Sequence, residues 1–278
     1  MTKFITDSSC DLLEREDVLF ESVSLTINTE ERTYVDDETL DINEMLDDLR
    51  QYRGKSHTAC PGVAQWMDAY ERGNADRIYV VTMTSGLSGT YNSAVVAREQ
   101  FLEEHKDVQI HIFDTLTTGP EMSIILDKII EMDTAGMEFE EVCKKGAEYI
   151  KKTGLYFAFQ SLHNFAQNGR VSKVVASAVG MMGISIIGKA SADGKVEPIT
   201  KSRSEKKTIL KIIEEMENGG YQGGKIKIGH VRNEELALKF KQALLDRYPM
   251  APTELYECRG ICSYYGESGG ILIGCENA

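Results

Sequence analysis

Long hydrophobic runs are missing from this sequence: Gly, Ser, Lys or Asp interrupts the apolar stretches well before the roughly 18 residues that a membrane span requires. An integral membrane protein is therefore not expected. Histidine is scarce, at five, and the six cysteines form no Cys-x-x-Cys pair, so neither a zinc site nor a disulfide framework is expected. Cys258 and Cys262 flank Gly260 and read as reduced thiols rather than metal ligands. Basic charge is also short. Lys and Arg number 31 against 44 Asp and Glu, and the net charge of −13 repels a phosphate backbone and disfavours a nucleic-acid partner. The opening Met1-Thr2-Lys3-Phe4-Ile5-Thr6-Asp7 has no apolar segment of signal-peptide type, so the expected location is cytoplasmic. What remains, 278 residues with 42% hydrophobic and 27% charged, suits a globular protein of two lobes.

Strand, polar loop and helix recur along the first half. A strand at 3–6 runs into Thr6-Asp7-Ser8-Ser9, with a helix start at Asp11-Leu12-Leu13. A further strand is expected at 22–27, and a helix within 36–50 from the spacing of Leu40, Ile42, Met45, Leu46 and Leu49. The loop Ser56-His57-Thr58-Ala59-Cys60-Pro61-Gly62 leads into a helix carrying Trp66 and Tyr70. Continuous apolar strands at 77–83 and 108–113 each feed a Ser/Thr/Gly loop and then a helix. This repetition predicts an α/β fold: an N-terminal parallel α/β domain over residues 1–153, where ligands gather at loops leaving the carboxyl ends of strands. After Gly154 the pattern changes to mixed α+β, residues 154–278, with an Asp193-Gly194 hairpin turn and strands at 253–258 and 270–274 joined by a Gly/Ser/Tyr loop.

The most informative segment is Ser85-Gly86-Leu87-Ser88-Gly89-Thr90. Glycines let a ligand approach the backbone, hydroxyls supply donors, and a following helix N-terminus adds free N–H groups, so a phosphate or a carboxylate fits. It lacks the Gly-Lys-Ser/Thr of a P-loop and the glycine spacing of a dinucleotide loop. Thr58 is a second hydroxyl ahead of a helix, and Gly119-Pro120 reads as helix-start punctuation. Cys60 has no identifiable dyad partner in His57, which disfavours nucleophilic catalysis. Asp36-Asp37-Glu38 with Asp41, Glu44, Asp47 and Asp48 read as a solvated acidic helix face, and His163 and His230 as hydrogen-bonded structural residues.

Taken together and in order, Thr6-Asp7-Ser8-Ser9, Thr58-Ala59-Cys60-Pro61, Thr84 to Ala94 around Ser-Gly-Leu-Ser-Gly-Thr, Asp114-Thr115 and Asn168-Gly169-Arg170-Val171 resemble the DegV family over essentially the whole chain. The resemblance implies a two-domain protein that binds one long-chain fatty acid between its lobes, with the C-terminal domain lining the acyl-chain tunnel. Members that act as the binding subunit of bacterial fatty acid kinase present the carboxylate to a separate ATP-binding kinase subunit, which makes the acyl phosphate. Such a subunit is not itself an enzyme and needs no cofactor beyond its lipid. Carried over by motif, Thr58 and Ser88 hold the carboxylate, with Gly89 or Thr90 N–H groups and Ser85 in support. Arg170, and Arg203 by a weaker match, face the kinase. The chain departs from the family pattern in three places: Ala59-Cys60 follows Thr58, Asn168 replaces a glycine, and no His stands in the loop Cys262 to Gly270, where Tyr264 takes its place.

Burying a C16 tail at about 0.8 kcal/mol per methylene supplies on the order of 11 kcal/mol against an association cost of roughly 4–15 kcal/mol, so the tail gives affinity and the head fixes register. Expected tunnel linings are Phe157, Phe159, Leu162, Phe165, Val179, Met181, Met182, Ile184 and Ile186, the Met pair between Gly180 and Gly183 foremost. Two rivals stand beside this reading. One is a stand-alone enzyme acting on an acyl or phosphoryl substrate with Ser85, Ser88 and Cys60; the other is a lipid sensor that docks to another protein.

Overall fold

The computed structural model of the protein describes residues 1–172 and 183–278. Four parallel strands, β1 (Thr2–Asp7), β2 (Leu19–Val23), β6 (Arg77–Thr82) and β7 (Gln109–Asp114), form a sheet in the order β2-β1-β6-β7. Successive residues point to opposite faces, and both faces are apolar. Ile5, Ile78 and Val80 pack with Trp66 of α2 (Val63–Glu71) and with Ala94 and Phe101 of α3 (Thr90–Glu104). Phe4, Tyr79, Val81 and Phe113 pack on the other side with α4 (Gly119–Thr134) and α5 (Phe139–Tyr149).

Sheet membership changes at β8 (Thr153–Phe159). It joins β9 (Ser185–Ala190), β10 (Val196–Ser202), β11 (Ile226–His230), β12 (Thr253–Glu257) and β13 (Ile271–Glu276) in the order β10-β9-β8-β13-β11-β12, antiparallel except for β11 with β12. One face is covered by α7 (Glu205–Asn218) and α8 (Glu234–Arg247) through Ile212, Ile213 and Phe240. From the other face Leu155, Phe157, Phe159, Ile186 and Leu272 enter the same core as Phe4 and Tyr79 of the first lobe. Helix α4 lies between the sheets and touches both. Its first turn sits so close to β13 that a Cβ on Gly274 would lie 2.3 Å from the Glu121 nitrogen, which is why glycine stands there. A small antiparallel sheet, β4 (Thr33–Val35), β3 (Thr26–Asn28) and β5 (His57–Ala59), bridges the lobes on one side with α1 (Ile42–Gln51), α6 (His163–Gln167) and α9 (Gly260–Gly266).

Five sequence expectations are corrected. No helix starts at Asp11: Ser8–Cys10 make one 3-10 turn, which Asp11 ends in the left-handed region with φ at 60°. The strand expected at 22–27 is two strands, β2 and β3, in different sheets. The acidic stretch becomes helical only at Ile42, capped by Asp41, and Asp36 is fully buried instead of solvated. The loop expected between the last two strands contains α9, and β12 and β13 are separated by β11. His230, expected to be hydrogen-bonded, is buried with Nδ1 unpartnered among the described residues.

Buried carboxyl groups tie the loops and lobes together. Asp7 accepts the N–H of Met83 at 2.7 Å and of Ser9 at 3.0 Å. Asp36 accepts the N–H groups of Gly260 and Ile261 at 2.8 and 3.0 Å, fixing the start of α9 to the first lobe. Asp11 accepts the Arg259 N–H at 2.9 Å, and Glu121 accepts the Thr153 hydroxyl at 2.7 Å. Burial dominates their titration: it pushes Asp7 up to about 6 and Asp11 and Glu121 up to about 7, and it raises Asp36. At pH values between the ordinary carboxyl range and about 7 the folded chain therefore holds protons that the unfolded chain has lost, and stability falls as pH rises through that window. The melting temperature measured by calorimetry is expected to be higher near about pH 5 than near about pH 8, and Asp11→Asn should flatten the slope; a wild-type midpoint that rises with pH contradicts this.

Candidate functional site

A cleft opens between the lobes where the polar loops of the first sheet face β8, β9 and α9. Its mouth is built from β5, which carries Thr58, and from the loop between β6 and α3, which carries Thr84, Leu87 and Ser88. These two segments lie side by side: a Cβ on Gly89 would be 3.4 Å from the Cys60 sulfur. The Ser88 hydroxyl is 2.8 Å from the Thr90 hydroxyl and accepts the Thr90 N–H at 3.3 Å, so it shapes the first turn of α3 while still lining the cleft. Thr58 Oγ1 lies 2.8 Å from the Tyr265 hydroxyl on α9. The β9–β10 turn closes over the loop, where Thr84 donates to the Gly194 carbonyl at 2.9 Å. Gly194 holds a φ of +71° there, and a Cβ would fall 2.0 Å from the Thr84 hydroxyl oxygen, so no other residue fits this contact.

Behind the mouth the walls are apolar. A ladder of rings leads inward, Tyr265 to Phe165 at 4.6 Å, Phe165 to Phe159 at 6.0 Å and Phe159 to Phe157 at 4.4 Å between centroids. Leu25, Met83, Leu116, Leu155, Ile261 and Leu272 add aliphatic wall to the lining. Arg170 stands at the mouth, half-buried, with Nε donating to the Leu87 carbonyl at 3.2 Å and Nη1 to the Asn168 carbonyl. No carboxylate pairs with it among the described residues, whereas Lys189 and Lys195, also in the lining, pair with Glu197 and Asp193. Burial raises the Tyr265 phenol above its ordinary range, although the Thr58 hydroxyl bond and the charge of Arg170 pull it back, so it is a neutral donor at pH 7.

The site residues expected from sequence divide into two sets. Thr58, Ser88 and Arg170 come together in the cleft, with Gly89 and Thr90 adjoining through Cys60 and Ser88. Ser85 is exposed outside it, its N–H donating to Asp114 Oδ1 at 3.0 Å, and Thr84 lines the cleft beside it. Tyr264 points the other way. Its hydroxyl meets Ser56 Oγ at 2.8 Å and Asn168 Nδ2 at 2.9 Å, and it borders a separate polar cleft with Arg50, Arg53, His163 and Glu267. Tyr265, unanticipated, takes the Thr58 hydroxyl. Arg203 is exposed just past the end of β10, outside the cleft and beside Lys201 and Lys207. Of the expected tunnel linings, Phe157, Phe159 and Phe165 line the cleft; Leu162, Ile184 and Ile186 are buried without lining it, and Val179, Met181 and Met182 lie outside the described residues.

Hydroxyls, backbone donors and one guanidinium at an apolar channel make a receptor for an anionic head on a hydrocarbon tail. Among the described lining residues there is no His, Asp or Glu, the commonest general bases, and the lining lysines Lys189 and Lys195 pair with carboxylates. Cys60 is exposed outside the lining, and burial drives the Cys262 thiol, which lines it, well above its ordinary range. No group of three or more metal-ligating side chains occurs among the described residues, and none of their helices is long and apolar enough to cross a membrane.

The sequence pattern of the uncharacterised DegV family matches residues 1–273. The chain belongs to the DegV family. A DegV domain-containing protein of Streptococcus pyogenes serotype M3 is 37% identical over 278 residues, covering 99% of both chains. Among solved structures, a DegV family protein from Eubacterium eligens loaded with heptadecanoic acid is 45% identical, covers all of both chains and superposes with a TM-score of 0.97. The fatty acid kinase B3 protein of Streptococcus pneumoniae, loaded with linoleic acid, is 34% identical over all of both chains with a TM-score of 0.96. The α/β architecture, a parallel sheet beside a mixed one, is thus that of DegV proteins that bind fatty acids.

The bond between Thr58 and Tyr265 has a measurable coupling. In a double-mutant cycle of Thr58→Val and Tyr265→Phe followed by urea unfolding, an interaction energy of about 0.5–1.5 kcal/mol is expected, and additive effects would show that the hydroxyls do not pair.

Proposed function

We propose that this protein is a lipid carrier: it holds one long-chain fatty acid in the cleft between an N-terminal domain of residues 1–153 and a C-terminal domain of residues 154–278, and offers the carboxylate to a separate kinase subunit that forms the acyl phosphate. The observation that carries this reading is the joining of a polar mouth, holding hydroxyls and the Arg170 guanidinium, to an apolar, ring-lined channel with no His, Asp or Glu among its described lining residues. Thr58 and Ser88 donate to the carboxylate, with Gly89 and Thr90 shaping the loop. The Thr58 and Tyr265 hydroxyls share one hydrogen bond, and when Tyr265 is its donor the Thr58 proton is free for the ligand. Tyr264 and Ser85 act behind this set, through Ser56 and Asp114. Arg170 supplies the one cation at the mouth without a carboxylate partner among the described residues, and it faces both the ligand and an incoming phosphoryl group.

The kinase partner is supported by the name of one close relative and by Arg203, an exposed cation in a basic depression on a chain of net charge −13. Neither a cofactor nor a metal enters this reading, and the cytoplasm is where an ATP-dependent partner would meet it. The isolated chain is not an enzyme on this account, and a lipid sensor that docks elsewhere would share the same cleft.

Native mass spectrometry of the purified protein, followed by organic extraction, tests the first half. One fatty acid per chain is expected, and a Thr58→Ala/Ser88→Ala double variant should retain it less well, by about 1.5–3 kcal/mol per lost charged hydrogen bond. Acyl phosphate is expected only when a kinase subunit and ATP are added. Acyl phosphate or hydrolysed ester from the chain alone would favour the enzyme reading, and a protein that refuses added fatty acids would end the carrier reading.

A further inference from the structure

Strand β5 lies at the edge of its three-stranded sheet, and an edge strand presents backbone N–H and C=O groups that need partners. Along a strand the carbonyl of one residue and the N–H two residues on point the same way, so Ser56 O and Thr58 N form one such pair. Both meet the side chain of Asn168, just past α6. Oδ1 accepts the Thr58 N–H at 3.3 Å, and Nδ2 lies 3.5 Å from the Ser56 carbonyl. Oδ1 thereby takes the N–H that a neighbouring strand would take. The two Nδ2 hydrogens go to the Tyr264 hydroxyl and the Asn164 carbonyl, each at 2.9 Å, which anchors Asn168 to α9 and α6. Its own carbonyl accepts Arg170 Nη1, and Arg170 Nε reaches Leu87 O beside Ser88. Thr58, Arg170 and the Ser88 loop are therefore linked through one residue.

We propose that Asn168 is the positioning residue of the carboxylate site: without touching the ligand, it sets where the Thr58 hydroxyl stands relative to Arg170 and Ser88. This rests on the reading of Thr58 as a carboxylate donor. The physical reason is distance. A charged hydrogen bond needs its heavy atoms within about 2.5–3.0 Å, so a strand edge free to drift by an ångström loses the contact while leaving the apolar channel intact. Losing Asn168 therefore alters the state of the head group and leaves the tail bound.

The test uses the full chain loaded with palmitic acid carrying carbon-13 at the carboxyl. The carboxyl resonance is followed with pH, and the exchange rate of the Thr58 amide is measured, in wild type, Asn168→Ala and Asn168→Asp. Asn168→Ala is expected to keep one lipid per chain, to speed Thr58 amide exchange about three- to tenfold, as the loss of one hydrogen bond implies, and to move the carboxyl titration toward that of the free acid. Asn168→Asp keeps the acceptor for Thr58 N–H, so its Thr58 amide should stay slow. Unchanged carboxyl titration in Asn168→Ala, or Thr58 exchange equal to wild type, overturns the proposal. If Asn168→Ala does not fold, a fast Thr58 amide in Asn168→Asp overturns it and a slow one supports it. A wild-type carboxyl that titrates like the free acid refutes the Thr58 reading itself, which separates the two failures.

Discussion

A carboxylate removed from bulk water must find hydrogen-bond donors already in place, and its hydrocarbon tail must find none. The molecule separates these two demands by layer. Donors come from the loop that leaves β6, with Thr84 and Ser88, and from Thr58 on β5 of the small antiparallel sheet beside it. The apolar channel comes from the inner face of the second sheet, where Phe157 and Phe159 stack at the head of a shared core. Neither sheet could build the site alone.

The two halves stay in register because buried polar groups cross between them. Asp36 holds α9 by its first two N–H groups, Asp11 holds Arg259, and Asn168 holds Thr58. Each bond fixes an element that contributes a side chain to the cleft. Burying carboxyl groups for this purpose raises their affinity for protons, so the scaffold that aligns the donors carries an electrostatic cost at neutral pH. The short turn Thr6-Asp7-Ser8-Ser9, which resembles a binding loop in sequence, is consumed in this way: Asp7 accepts Met83 N–H and Ser8 Oγ accepts Leu25 N–H.

Much of this was legible in the sequence, and the misses have physical reasons. Strands such as β6 announce themselves because both faces are buried and the run Ile78 to Val81 is unbroken by charge. The Ser88 loop was legible because glycine and hydroxyl residues cluster between such a strand and a helix. The Tyr264–Tyr265 pair was not, since adjacent helical residues point about 100° apart and a stretch read as loop gives no phase to choose between them. Asp36 sat in an acidic run and looked solvated; only the tertiary approach of α9 makes it a buried acceptor. Asn168 was visible as a departure from the family pattern, yet its bond to an edge strand 110 residues earlier has no local signal.

The most direct measurement is a crystal structure of the protein with the fatty acid it carries. The account predicts carboxylate oxygens within hydrogen-bond distance of Thr58 Oγ1 and Ser88 Oγ, Arg170 alongside, and the tail running past Phe165 and Phe159. A carboxylate at the Cys262 and Thr118 end of the channel, or a ligand in the polar cleft beside Tyr264, would contradict it.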